Sequence, residues 1–250
     1  MFDDLRKPLI FAHRGDSAHA PENTVPAFER AVQAGADGVE LDVKLSADGE
    51  VMVSHDPTVD RTTGGHGRIS QLTLTDLLRL DAGGTFSEAF RGTRLPRLEE
   101  VFEAVGRKCL INVELTNVAN PFDGVVEKVC ALVKRHGLQS SILFSSFFGN
   151  QLRTAARLLP EVPRGLLALG GWKGAWARSF QFMFGDFQAL HPNVKDVNPA
   201  QVSRVHQLNR RILVYTVNSA EEIARLSDWG VDGIFTDDPG MALRAAGRTE

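Results

Sequence analysis

The stretch VELDVKLSADGEVMVSHD (Val39–Asp56) holds two alternating apolar runs on either side of Asp48-Gly49, a dipeptide suited to the positive φ of a two-residue hairpin turn. Alternation with period two puts Glu40, Asp42 and Lys44 on one strand face. With Asp48 and Gly49 as the turn, Ala47 pairs with Glu50, and by extension Asp42 pairs with His55. Two carboxylates and an imidazole, all costly to bury, are thereby predicted on one small surface. Close carboxylates repel unless a cation or a proton neutralises them. The stretch reads as a strand that delivers chemistry.

Outward from it, short apolar runs alternate with helical segments. Strands are predicted at Leu9–Gly15, Gly38–Lys44, Cys109–Leu115, Ile142–Phe147, Arg164–Leu169, Ala189–Val194, Arg211–Val217 and Gly233–Asp237. Helical patterns lie between them, such as TVPAFERAVQAG, LEEVFEAVG and SAEEIARLSDWG. Thr24 is placed as the first helix cap with Pro26 near its start, and Gly35 and Gly230 as helix stops. Eight strands with intervening helices predict an α/β fold, a (β/α)8 TIM barrel, with a doubly wound sheet as the alternative. Residues 57–97 break the rhythm. They read as a small insertion after the second barrel strand, lying over the C-terminal face where barrel chemistry occurs. No low-complexity linker divides residues 1–250, so one domain is expected.

Composition narrows the function classes. With 250 residues, 43% of them hydrophobic, the chain is long enough for a sizeable core, and a net charge of −3 argues against a nucleic-acid footprint. Cys109 and Cys130 show neither metal nor disulfide spacing and are read as packing residues. The opening MFDDLRKPLIFAHRG lacks a signal-like apolar run, and no stretch reaches the roughly twenty apolar residues of a membrane span. A cytoplasmic protein is the expectation; the oligomeric state is left open.

In a barrel, His13 and Arg14 end the first strand, Glu40 and Asp42 the second and Glu114 the third, with His55 returning by the hairpin. Five such groups at adjacent strand ends argue for a site. Three carboxylates suit a hard divalent cation, Mg²⁺ or Ca²⁺, with Mn²⁺ also open, better than zinc. These residues also carry a family resemblance. HRG (His13–Gly15), PENT (Pro21–Thr24), ELDV (Glu40–Val43), SHD (Ser54–Asp56), DRTTGGHG (Asp60–Gly67), LPRLEEVF (Leu95–Phe102), VEL (Val113–Leu115), YTVN and GIFTDDP occur in the order seen in the glycerophosphodiester phosphodiesterase family, which the chain resembles over almost its whole length. The resemblance implies metal-dependent hydrolysis of a small-molecule glycerophosphodiester to glycerol 3-phosphate and an alcohol. It implies His13 and His55 as the acid/base pair, Glu40, Asp42 and Glu114 as metal ligands, and Arg14 as a phosphate contact. Acid and base stay unassigned between the two histidines.

One position departs from the family pattern. A lysine common two residues after the third-strand glutamate is Thr116 here. Lys44 is placed as a substitute, against the plainer reading of a solvated strand-end lysine. Tyr215 is placed in the substrate pocket, with packing as the alternative. Trp172, Trp176, Phe180 and Phe184 recur every four residues, which predicts a helix stripe packed on the barrel; a lid or an oligomer contact is the alternative. Asp237 and Asp238 read as a strand-end turn and a helix cap, and the other histidines as surface or packing residues. Two further functions stay open: lysophospholipase D-like hydrolysis of an intact lipid, and a non-catalytic phosphate-ligand sensor.

Overall fold

The computed structural model describes residues 6–115 and 123–248. Nine strands are present: β1 (Leu9–His13), β2 (Gly38–Leu45), β3 (Val51–Val53), β4 (Leu110–Glu114), β5 (Ile142–Ser146), β6 (Arg164–Ala168), β7 (Ala189–Pro192), β8 (Arg211–Val214) and β9 (Gly233–Thr236). All except β3 run parallel, and β1 pairs with both β9 and β2. That double pairing closes an eight-stranded barrel and excludes the doubly wound sheet. All eight predicted barrel strands are found; β2 runs one residue further than predicted, to Leu45, and the other seven stop short at the C-terminal end, β4 also starting one residue later.

Strand alternation divides the core in two. Residues such as Val39, Leu41 and Val43 face outward and pack with the helices, while Leu9, Phe11, Leu143, Leu213 and Phe235 fill the barrel interior. Each such side chain, fully buried, contributes about 1.5–3 kcal/mol. The Val125–His136 helix shows how the outer layer forms: Val125, Val129 and Val133 are buried on one face, basic Lys134, Arg135 and His136 occupy its last turn, and Gly137 at φ 64° ends it. Gly35 and Gly230 are both at positive φ behind their helices, as expected. Thr24 stands at the predicted cap but spends its hydroxyl on the Pro21 carbonyl at 2.6 Å instead of a helix N–H. Cys130 is buried, Cys109 half-buried, and both are free thiols.

The hairpin register differs from the prediction by one residue. Val43 pairs with Val53, Lys44 with Met52 and Leu45 with Val51. The loop is three residues, Ala47-Asp48-Gly49, with Gly49 at φ 82° and its N–H donating to the Ser46 carbonyl at 3.0 Å. Asp48 is held in that loop by the Ser46 hydroxyl at 2.6 Å and the Leu74 N–H at 3.0 Å. Ser54, not His55, therefore lies opposite Asp42, its N–H donating to the Asp42 carbonyl at 2.9 Å. β2 also changes partners: its first five residues pair with β4 and its last three with β3. The insertion that follows is built from short helical turns over a small core of its own that includes Met52, Val59, Ile69 and Leu77.

Candidate active site at the barrel mouth

The HRG stretch turns sharply as β1 ends. Arg14 and Gly15 are both left-handed, at φ 58° and 86°. A non-glycine residue seldom adopts that conformation, and such strain collects at functional sites. Here it aims the Arg14 N–H at Glu40 Oε2, 3.0 Å away. Gly15 is required twice over, because a Cβ there would also lie 2.7 Å from the Ala27 backbone. Gly15→Ala is expected to destabilise the fold by about 2–4 kcal/mol, combining backbone strain with overpacking. A melting temperature equal to wild type would contradict this account.

Glu40, Asp42 and Glu114 converge as predicted, each offering a carboxylate oxygen within 4.8 Å of the others. Glu40 and Asp42 are buried, and β2–β4 pairing sets Asp42 beside Glu114. Burial, then the charges of Asp42 and Glu114, push Glu40 well above the usual carboxylate range. Asp42 moves the other way. Burial would raise it, but Arg14, Lys44, His55 and the Asn23 amide outweigh that and hold it low. Arg14 Nε is 3.5 Å from Asp42 Oδ2, and Asn23 Nδ2 donates to the same oxygen at 3.0 Å. The cluster is a donor set of hard oxygens whose mutual repulsion a bound cation would relieve.

Both predicted histidines reach this cluster, each backed by a carboxylate. His13 Nδ1 is 2.7 Å from Asp237 Oδ1, and because a carboxylate only accepts, Nδ1 carries the proton. His13 Nε2 then faces Glu40 at 4.0 Å. Asp237 is itself fixed by the Asn218 amide at 2.5 Å, and hydrogen bonds from His13, Asn218 and Ser17 hold it low despite burial. His55 Nδ1 donates likewise to Asp56 Oδ1 at 2.7 Å. Burial pushes Asp56 up, but Arg61 and His55 bring it down to about 2. Arg61, from the insertion, bonds Asp56 at 2.7 Å and Glu22 at 2.7 and 2.8 Å, and Glu22 accepts from Arg14 at 3.0 Å. A continuous polar chain thus joins the loop-borne histidine to the barrel arginine.

Asp237, Asn218, Asn23, Asp56, Glu22 and Arg61 were not singled out from the sequence as site residues. Their motifs carried the signal: PENT holds Glu22 and Asn23, SHD holds Asp56, and YTVN and GIFTDDP hold Asn218 and Asp237. Asp238 is the helix cap expected, accepting from the Met241 N–H at 2.8 Å. Lys44 is not a solvated strand end; it is buried, it lines the larger cavity with its ammonium 3.4 Å from the Val43 carbonyl, and its charge helps hold Asp42 low. Tyr215 lines the mouth and also packs, its hydroxyl donating to the Ala168 carbonyl at 2.8 Å and its ring edge-on to Phe147. Thr116 lies outside the described residues. Deeper in the barrel, His191 is fully buried against Phe235, in space left by Gly165, and burial pushes it down to about 3, so it stays neutral.

Two cavities meet at the cluster, sharing His55, Glu114, Phe147 and Leu167. One, about 150 Å³, has a mixed lining that includes His13, Arg14, Glu40 and Tyr215 beside Phe235. The other, about 570 Å³, runs from Asp42 and Lys44 along an apolar wall of Phe147, Phe148 and Leu167 to Trp176. The aromatic segment after β6 forms its rim. Trp172, Trp176, Phe180 and Phe184 point into solvent, 84%, 66%, 57% and 78% exposed, so they are not a stripe packed on the barrel; Phe182 and Phe187 are the members that pack inward.

Comparison with known proteins agrees with this geometry. The sequence pattern of the Glycerophosphoryl diester phosphodiesterase family matches residues 13–241. A glycerophosphodiester phosphodiesterase of Caldanaerobacter subterraneus subsp. tengcongensis is 40% identical over 234 residues, 93% of this chain and 95% of its own. Among solved structures, an Oleispira antarctica phosphodiesterase in complex with the product sn-glycerol-3-phosphate superposes with a TM-score of 0.88 at 31% identity, covering 96% of this chain and 97% of its own. A glycerophosphodiester phosphodiesterase from Agrobacterium tumefaciens gives 0.82 at 29% identity, covering 94% and 98%.

Proposed function

The chain belongs to the glycerophosphoryl diester phosphodiesterase family, and from that premise we propose that it hydrolyses a glycerophosphodiester to sn-glycerol 3-phosphate and an alcohol with the help of a divalent cation. The observation that carries the reading is the pair of carboxylate-backed histidines beside a three-carboxylate cluster. Phosphodiester cleavage needs a proton taken from the nucleophile and another returned to the leaving oxygen. His13 and His55 divide these transfers through Nε2, because Asp237 and Asp56 hold the proton at Nδ1 of each ring. Arg14 and Lys44 bring positive charge toward the phosphoryl oxygens, and Tyr215 borders the smaller cavity. Glu40, Asp42 and Glu114 would hold the cation. Once bound, it supplies electrostatic stabilisation of the phosphoryl group. The all-oxygen donor set suits Mg²⁺ or Ca²⁺, with Mn²⁺ next.

A second reading, head-group release from a lysophospholipid by attack at the same phosphorus, draws on the apolar wall of the larger cavity. A phosphate sensor, by contrast, has no use for two imidazoles each fixed in one tautomer. Incubation with glycerophosphocholine, glycerophosphoethanolamine and lysophosphatidylcholine, with products identified, separates these. We expect sn-glycerol 3-phosphate from the soluble diesters. Phosphocholine as product would mean the opposite ester bond is cut, and no turnover with any of the three cations would overturn the assignment.

The raised Glu40 carboxyl has a measurable consequence. A cation competes with the proton that this shift favours, so affinity should rise with pH through the Glu40 range and level off above it. Calorimetry in buffers of different ionisation enthalpy should read proton release on binding within that range. A pH-independent affinity with no proton release would show that Glu40 is ionised beforehand.

A further inference from the structure

The rim of the larger cavity has a property that hydrolysis of a small polar diester does not use. Leu169, Trp172, Trp176, Phe180, Met183 and Phe184, all within sixteen residues, are each more than 40% exposed. They form a surface, not scattered side chains. Trp176 stacks on Phe180 at 5.4 Å and Phe180 on Phe184 at 6.2 Å. Four residues of α-helix advance about 400°, so a four-residue repeat drifts by about 40° per step. The helix widens to a π-turn over Ala177–Gln181, which counters that drift and keeps the rings in one row. Contiguous apolar patches of this kind on a protein surface mark a binding face.

The position of the row selects the occupant. Trp176 belongs both to the row and to the wall of the cavity that ends at Asp42, His55 and Glu114. A protein seated there, or a second copy of the chain, would cover the entrance to the site. A lipid surface would instead open onto it. The chemistry agrees: tryptophan and phenylalanine partition to the boundary between head groups and acyl chains. Exposed Lys173 stands between Trp172 and Trp176 in the chain and lines the cavity with Trp176, and exposed Arg153 lies with Gln181 beside Gly149, so cations accompany the apolar strip. We propose that the Trp172–Phe184 row docks the barrel mouth on an anionic lipid surface, with the rings at the head-group boundary and the larger cavity facing the lipid. No helix among the described residues is long and apolar enough to cross a membrane; the contact is peripheral.

Co-sedimentation with phosphatidylcholine–phosphatidylglycerol vesicles tests this, using wild type and Trp172→Ser/Phe184→Ser. Neither residue lines the catalytic cavities, so glycerophosphocholine turnover and melting temperature serve as controls. Wild type should pellet with the vesicles, with a blue shift in tryptophan emission, and the double variant should lose more than about tenfold in partitioning while both controls hold. Wild type left in the supernatant at every vesicle composition would overturn the proposal. So would equal partitioning of the variant, or a wild-type dimer that the variant dissociates, since the row would then be a self-contact. Absence of turnover by wild type would count against the phosphodiesterase reading and leave the vesicle result to decide docking by itself.

Discussion

His13→Ala and His55→Ala should each lower kcat on a glycerophosphodiester by about 10²–10⁴-fold, with cation binding retained. The expectation follows from the tautomers. Each ring donates from Nδ1 to a carboxylate at 2.7 Å, leaving Nε2 as the working atom. Because the two imidazoles serve one reaction, the double variant should cost little more than the worse single one. Asp237→Asn leaves the His13 ring present but frees its tautomer, so a smaller loss of about 10–100-fold is expected. Steady-state kinetics beside calorimetric cation titration decides the matter. Either alanine variant turning over at the wild-type rate would remove that histidine from the pair, and loss of the cation along with activity would make it a ligand.

Asp42→Asn and Glu40→Gln should both abolish cation binding and reduce turnover by more than about 10³-fold, yet they should differ in stability. Asp42 is ionised and is the near partner of Arg14 Nε at 3.5 Å. Asn at position 42 removes the carboxylate facing Arg14 Nε and leaves Glu22, at 3.0 Å, as the guanidinium's ion-pair partner, at a cost of about 1–3 kcal/mol. Burial and the neighbouring carboxylates disfavour the charged form of Glu40, so removing that charge with Gln should cost little stability. Denaturant melts in chelator should therefore separate the two variants while activity does not. Equal melts would mean that the charge is shared differently, and full activity in exhaustively metal-free buffer would remove the cation from the mechanism.

The barrel was legible because buried parallel strands and amphipathic helices impose different periods, and every one of the eight runs from Leu9 to Asp237 kept its own. Residues at strand ends were legible for the same reason: period two alone puts Glu40 with Asp42. What failed were features decided by one loop residue or by distant contacts. The hairpin slipped by one because Gly49 took a left-handed position in a three-residue loop that Ser46 and Asp48 fasten. The His13–Asp237 pair spans 224 positions, beyond any local pattern. Four-residue spacing predicted the aromatic row but not its direction, because periodicity shows that a helix has an apolar face and not what covers it. Period two also put Lys44 on the face of the carboxylates, and its burial there excludes the solvated strand end that its residue type suggested as the alternative.

The exchange of partners along β2 couples parts of the molecule that look separate. Asp42 is the last residue of β2 paired with β4, and from Val43 the strand belongs to β3 and the insertion. A cation gripped by Glu40 and Asp42 therefore clamps the seam between barrel wall and appended unit. Any ligand that binds only the native state lowers the population of partly opened forms, and the forms suppressed first are those in which this seam parts. Slow hydrogen exchange should thus spread, on cation binding, from the barrel strands into amides of Ser46, Val53 and Ser54. Loop and barrel would then open as one foldon, and an ion gripped from the strand face would govern how often the arm carrying His55 lifts away.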